Sequence, residues 1–389
     1  MRERPDLDRR FIVRLKISAI GVLAAALLTV GSMVVSDVIL SQQEQLGKGL
    51  FFDSSLSTPP GQSCAACHAP EVGFTGPDSD INEATAVYPG AVHTRFGNRK
   101  PPTSAYASYS PALYYDEDED MYVGGQFWDG RADSLVEQAK GPFLNPLEQN
   151  NPNPRSVILK VRKSPYASLF PEVYGPDSLD WVKDVMGTYD RIAQAIAAYE
   201  ASAESNQFTS KFDYYVAGMV DLTGEEMLGL ELFNGEGMCA ACHLSTPGPY
   251  AEKALLTDYT YDNLGIPKNP NNPFYMMTHW NPLGADWVDL GLGFTTDRDA
   301  DKGKFKVPTL RNVDKRPYDG FVKAYGHNGY FESLKEIVHF YNTRDVEEWP
   351  APEYAQNINT DELGNLGLTD AEEDAIVAFM KTLSDGYQL

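Results

Sequence analysis

The pentapeptide CAACH occurs twice, as Cys64-Ala65-Ala66-Cys67-His68 and as Cys239-Ala240-Ala241-Cys242-His243, and together the two copies use every cysteine of the chain. Four cysteines permit three disulfide connectivities, but C-x-x-C-H is the attachment pattern for c-type haem. The two thiols add across the vinyl groups, and the adjacent histidine is presented to one face of the iron. The repeated motif therefore predicts two covalently bound haem c groups, held by Cys64, Cys67, Cys239 and Cys242, with His68 and His243 as proximal iron ligands.

The flanks of the two motifs resemble each other. LGKGLFF precedes the first and LGLELF the second, each reading as a helix with a glycine and a Leu-Phe pair shortly before the haem loop. The C-terminal LTDAEEDAIVAFMKTLSD carries a capping box, Thr369 with Glu372, followed by apolar Ile376, Val377, Phe379, Met380 and Leu383. That helix is expected to pack on the helix ahead of the second motif. Strand-like alternation is scarce, and Pro and Gly are frequent between the helical patterns. The expected fold is mostly α: two cytochrome c-like haem domains with long loops, residues 41–205 and 206–389, preceded by a hydrophobic segment within residues 1–40. A chain of 389 residues with 42% hydrophobic and 22% charged residues is long enough for two such cores.

The first residues are arginine-rich and lead into the apolar run Ile17–Val35. A positive flank followed by such a run is an export signal, retained as a membrane anchor or cleaved as a signal peptide. The expected location is the periplasm, soluble or tethered to the inner membrane. The formal charge of -23 excludes nucleic acid as a partner, because phosphates would be repelled over most of the surface. It suits a cationic protein partner better.

Between the motifs lies QFWDGRADSLVEQAKGPFLNPLEQ, residues 126–149. This stretch, on a chain with two haem motifs, resembles the bacterial dihaem cytochrome c peroxidase family, which includes the MauG enzymes; the resemblance runs from about Leu46 to the C-terminus. It implies that Trp128 relays electrons between the haems, and that Gln138, Pro142 and Glu148 line the peroxide-binding side of the first, peroxidatic haem. The chemistry asks for such residues. Heterolysis of peroxide needs a proton taken from the near oxygen and delivered to the far one, which a carboxylate can do as base and then acid. A glutamine can hold peroxide or water by hydrogen bonds.

His93, in AVHTRFGNRKPPTS, stands close to the place of the family's removable ligand to the first haem, although the loop after the first motif is longer here. Lys100 stands where the family pattern has an asparagine associated with a calcium ion, and a lysine lacks the oxygen that calcium needs. The family's Thr-x-Pro-Tyr-x-His run is replaced by RPYDGFVKAYGHN. Calcium is thus an open expectation without support from these residues. The acidic run Asp116–Asp120 reads as a solvated loop.

In HNGYFESLKEIVHFYN, Ser333 and Glu336 form a capping box, and Leu334, Ile337, Val338 and Tyr341 share one helical face. His339 falls outside that stripe and reads as a surface residue. In the family a sixth ligand of the second haem follows the histidine of this segment by fourteen positions, as Tyr341 follows His327. The peroxidases have methionine there and the MauG-type enzymes tyrosine. The resemblance therefore makes Tyr341 the expected sixth ligand and His327 a non-ligating neighbour, with Met276, Met277 and His279 as rivals. A thioether favours ferrous iron, whereas a phenolate favours ferric and higher states.

Three functions follow. The leading one is a peroxidase that reduces hydrogen peroxide with electrons from a small donor, a cytochrome c or a cupredoxin, entering through the C-terminal, electron-transfer haem. The second is a MauG-like oxidase that uses peroxide to oxidise aromatic side chains of a protein substrate. The third is a non-catalytic electron-transfer cytochrome.

Overall fold

The helices that position the sites are α1 (Gln42–Phe52), α2 (Leu135–Leu144), α3 (Val185–Glu200), α4 (Gly224–Asn234), α5 (Leu334–Thr343) and α6 (Asp370–Lys381). They belong to a computed structural model that describes residues 38–389. The apolar run Ile17–Val35, with the export signal or anchor expected there, lies outside the described residues. Among the described residues no helix is long and apolar enough to cross a membrane.

The halves repeat one packing unit. Ahead of the first CAACH, α1 starts at a capping box formed by Ser41 and Glu44 and packs on α3. Ahead of the second, α4 starts at Thr223 and Glu226 and packs on α6, as the sequence predicts for the C-terminal helix. Each contact is centred on a glycine. A Cβ at Gly47 would lie 1.8 Å from the carbonyl oxygen of Ala195, and one at Gly229 1.9 Å from that of Ala375. Each is sealed by an edge-to-face aromatic pair, Phe51 on Tyr199 at 5.3 Å and Phe233 on Phe379 at 5.0 Å. Because backbone rather than a flexible side chain blocks the space, Gly229→Ala must push α4 away from α6. We expect it to destabilise the holoprotein by about 1–3 kcal/mol in denaturant unfolding, whereas an exposed glycine such as Gly224, with open space around it, tolerates the change.

Among the described residues two main hydrophobic cores result, beside a small cluster of Ala69, Val72 and Phe321. One gathers Leu46, Leu50, Phe143, Ile192 and Tyr199, and also takes Leu255 and Tyr259 from the later half of the chain. The other gathers Leu232, Leu334, Phe340, Ile376 and Phe379. Together, Val38–Leu389 form one compact unit.

Among the described residues, extended structure consists of two short antiparallel pairs and a few isolated bridges. Tyr114–Asp116 pairs with Met121–Val123, and Tyr261–Asp262 with Phe305–Lys306. The acidic run turns the first of these hairpins, with Glu117–Asp120 exposed at its tip.

Candidate haem sites and the wall between them

Both CAACH segments fold as one tight turn, Cys64–Ala66 and Cys239–Ala241. The histidine N–H closes back on the first cysteine carbonyl, His68 to Cys64 at 3.0 Å and His243 to Cys239 at 2.9 Å. This turn places two thiols and an imidazole on one wall of a large cavity. The first cavity spans about 1590 Å³ and the second about 1700 Å³, each partly open to solvent.

The imidazoles are prepared as ligands. His68 Nδ1 meets the carbonyl of Phe74 at 3.2 Å, and His243 Nδ1 that of Leu256 at 2.9 Å. A proton held on Nδ1 by a carbonyl leaves Nε2 unprotonated for a metal. Burial also pushes both rings below the usual histidine range, His243 to about 4, so they stay neutral. Paired thiols, a neutral imidazole with a fixed tautomer and a roomy cavity are the set that a covalently attached haem requires, and both sites have it.

The first cavity brings together Gln138, Pro142 and Glu148. Helix α2 is started by Ser134, whose side chain accepts from Glu137 N, and it places Gln138 and Pro142 one turn apart on a common face. After Asn145 the chain folds back. Glu148 N donates to Asn145 O at 3.0 Å and Gln149 N to Pro142 O at 3.1 Å, which returns Glu148 to the cavity wall. Burial raises the Glu148 carboxyl above the usual range, opposed by Arg131 and by a hydrogen bond from Asn145. A smaller, more polar recess shares Phe127, Arg131, Pro142 and Glu148 with this cavity, so the carboxyl stands where the two meet.

Trp128 is 7% exposed and, among the described residues, is the one aromatic side chain that lines both cavities. Its indole N–H donates to Lys100 O at 2.9 Å, and its own carbonyl accepts from Lys306 N at 2.9 Å. Next to it in sequence, buried Asp129 accepts from Arg99 at 2.7 Å and from Arg131 at 2.8 Å. Arg99, on the wall of the first cavity, also forks onto Asp289 on the wall of the second, with both contacts at 2.6 Å.

Tyr341 projects from α5 into the second cavity. Burial raises its phenol above the ordinary value, and Cys239, Cys242 and Asp262 add to the rise. His327 also lines this cavity, but its ring stacks on Phe305 at 3.6 Å and its Nε2 lies 3.0 Å from Glu353 Oε2. His339 is ion-paired to Glu373 and Glu347 on the outer side of α5. The rivals line neither cavity. Met276 and His279 are exposed, and the Met277 sulfur accepts from Phe96 N. His93 is likewise exposed and outside both cavities, so this arrangement does not bring it to the first haem site; it sits in a turn closed by Gly90 N on Arg95 O at 2.7 Å and Arg95 N on Val92 O at 2.8 Å.

Sequence reasoning missed Glu200, the last residue of α3. It is 5% exposed, lines the first cavity, leaves Oε2 without a partner, and is pushed up to about 8 by burial. A signal was present, since Glu200 continues the buried face of Ile192 and Ile196 at helical spacing. Arg99 with Asp289 gave none, because the partners are 190 residues apart.

Residues 41–221 match the di-haem cytochrome c peroxidase family. MauG, the methylamine utilization protein of Paracoccus denitrificans, is 37% identical over 87% of this chain and 88% of its own length. The cytochrome c551 peroxidase of Nitrosomonas europaea is 30% identical over 87% and 79%. The crystal structure of the dihaem peroxidase BthA from Burkholderia thailandensis superposes with a TM-score of 0.77 at 30% identity, covering 89% of this chain and 86% of that one. The chain belongs to the family of dihaem cytochrome c peroxidases and MauG proteins. It is accordingly a haem-dependent oxidoreductase of the peroxidase class, with the mostly helical fold and two c-type haems of that family.

Proposed function

We propose that this protein is an exported, periplasmic peroxidase that reduces hydrogen peroxide to two waters, using two protons and two electrons from a small cytochrome c or cupredoxin. The observation that carries the reading is the convergence of Gln138, Pro142 and Glu148 on the cavity that holds Cys64, Cys67 and His68.

When bound, the haems supply iron that polarises peroxide and passes electrons. The protein does the rest. Cys64 and Cys67 with His68, and Cys239 and Cys242 with His243, hold the two groups. Gln138 orients peroxide by hydrogen bonding, and Pro142 narrows the space around it without adding a donor. Glu148 takes the proton from the near peroxide oxygen and gives it to the far one, its raised pKa suiting both tasks. Trp128, lining both cavities, carries electrons from the C-terminal to the N-terminal site. His93, exposed at the surface, takes no part in this scheme.

A second reading, oxidation of aromatic side chains in a protein substrate, is favoured by one observation: beside apolar Leu334, Ile337 and Val338, the polar side chain that α5 offers to the second cavity is the phenol of Tyr341. Tyrosinate there favours oxidised iron and suits storage of two oxidising equivalents. Steady-state turnover with a reduced donor and peroxide separates the two. We expect rapid donor oxidation, two equivalents per peroxide. Negligible donor oxidation, with a peroxide-oxidised state that persists, selects the protein-modifying reading. Two haems with two permanent ligands each, unchanged on reduction, would defeat both.

A further inference from the structure

The wall between the cavities is cationic. Lys100 and Lys306 each line both haem cavities. Lys100 Nζ stands 5.9 Å from the Trp128 ring centroid and, among the described residues, makes no hydrogen bond or ion pair through its ammonium. Among the described residues, Lys306 Nζ hydrogen-bonds only the carbonyl of Gly125, at 2.5 Å. A third lysine, Lys323, lines the second cavity and is 4% exposed. Its Nζ gathers the carbonyls of Val72 at 2.9 Å and of Asn312 and Lys315 at 3.1 Å. It thereby ties the loop after the first CAACH to the later half of the chain.

Burying an ammonium without an anion disfavours its charged form. Burial accordingly lowers Lys100 to about 8 and, against the pull of Asp129, Lys306 to about 7. Each haem brings two propionate carboxylates, whereas among the described residues Lys100, unlike Arg99, has no carboxylate of the chain as its partner. The family expectation of a calcium ion at this place does not fit these residues. At the asparagine position Lys100 offers a positive charge instead of an oxygen, and three nearby carbonyls are already taken by Lys323.

We propose that Lys100, with Lys306 on the same wall, supplies the positive charge between the two haems that calcium would otherwise provide, so that this enzyme neutralises its haem carboxylates without a divalent cation. The inference rests on the two haems alone and stands whether the enzyme consumes peroxide with a donor or modifies a protein.

The test uses the chelator-treated holoenzyme. Calorimetric titration with calcium chloride is expected to show no binding, and the electron paramagnetic resonance spectra of both haems to be the same with calcium and with chelator. One calcium bound per chain, with a change in either haem spectrum, overturns the proposal. Redox titration of variants gives an independent arm. Removing a positive charge near iron favours the ferric form, so K100M is expected to lower both midpoint potentials together, while K100R keeps them at the wild-type values. Potentials unmoved in a K100M protein that carries both haems overturn it as well. If K100M fails to take up haem, the calcium titration of the unaltered enzyme still decides.

Discussion

Glu148→Gln is expected to lower kcat/KM for hydrogen peroxide by about 10²–10⁴-fold, the usual loss for a general acid-base group, while both haems remain attached and the unfolding midpoint holds. Glutamine keeps the size and hydrogen-bonding reach of the side chain but cannot exchange a proton. The pH profile supplies a readout that lost packing would not move. Glu148 must be ionised to take the first proton, and burial raises its pKa. The acid limb of kcat/KM is therefore expected above the ordinary glutamate value of about 4.3, and to vanish in the glutamine variant. Arg131 opposes the rise, so Arg131→Met should move that limb to higher pH still. A limb that stays in Glu148→Gln, or that moves down in Arg131→Met, assigns the titration to another group, with Glu200 the first to examine.

Signals confined to a few consecutive residues were the legible ones. The haem attachment turns, the capping boxes at Ser333 and Thr369, and the stripe carrying Tyr341 all depend on spacing within one or two helical turns. Gln138, Pro142 and Glu148 also lie within one short segment, so a single helix and its return turn suffice to gather them. The pairing of α4 with α6 was legible because each presents one apolar face. What the sequence concealed is the wall between the cavities. Arg99 meets Asp289, and Lys306 joins Lys100 in lining both cavities, across about two hundred residues of chain. No local period encodes such encounters. Lys100 stood out as a departure from a family pattern, but that it faces two cavities at once is a product of tertiary structure. Glu200 was hidden for the opposite reason: a charged residue closing an apolar stripe reads as a helix end at the surface, whereas here it turns inward.

Tyr341 is where the choice between consuming peroxide and storing its oxidising power is expected to be made. Without iron the buried phenol holds its proton more tightly than an exposed one, so only a ferric centre can keep it as phenolate; a bound cation inverts the local pKa logic. Tyr341→Phe removes the oxygen while preserving the packing of α5. We expect the second haem to lose its low-spin resonance signature and the first to keep its own, and an unchanged second-haem spectrum would falsify tyrosinate ligation. Tyr341→Met replaces an anionic donor by a neutral thioether. Axial ligands move haem potentials across a range of about 0.8 V, so a rise on the order of tenths of a volt is expected at the second haem. The kinetic outcome then discriminates between the functions. A higher potential eases electron uptake from a weakly reducing donor, so peroxide turnover in Tyr341→Met should hold or rise. Any ability to retain two oxidising equivalents should fall, because the ligand that favours high-valent iron has gone.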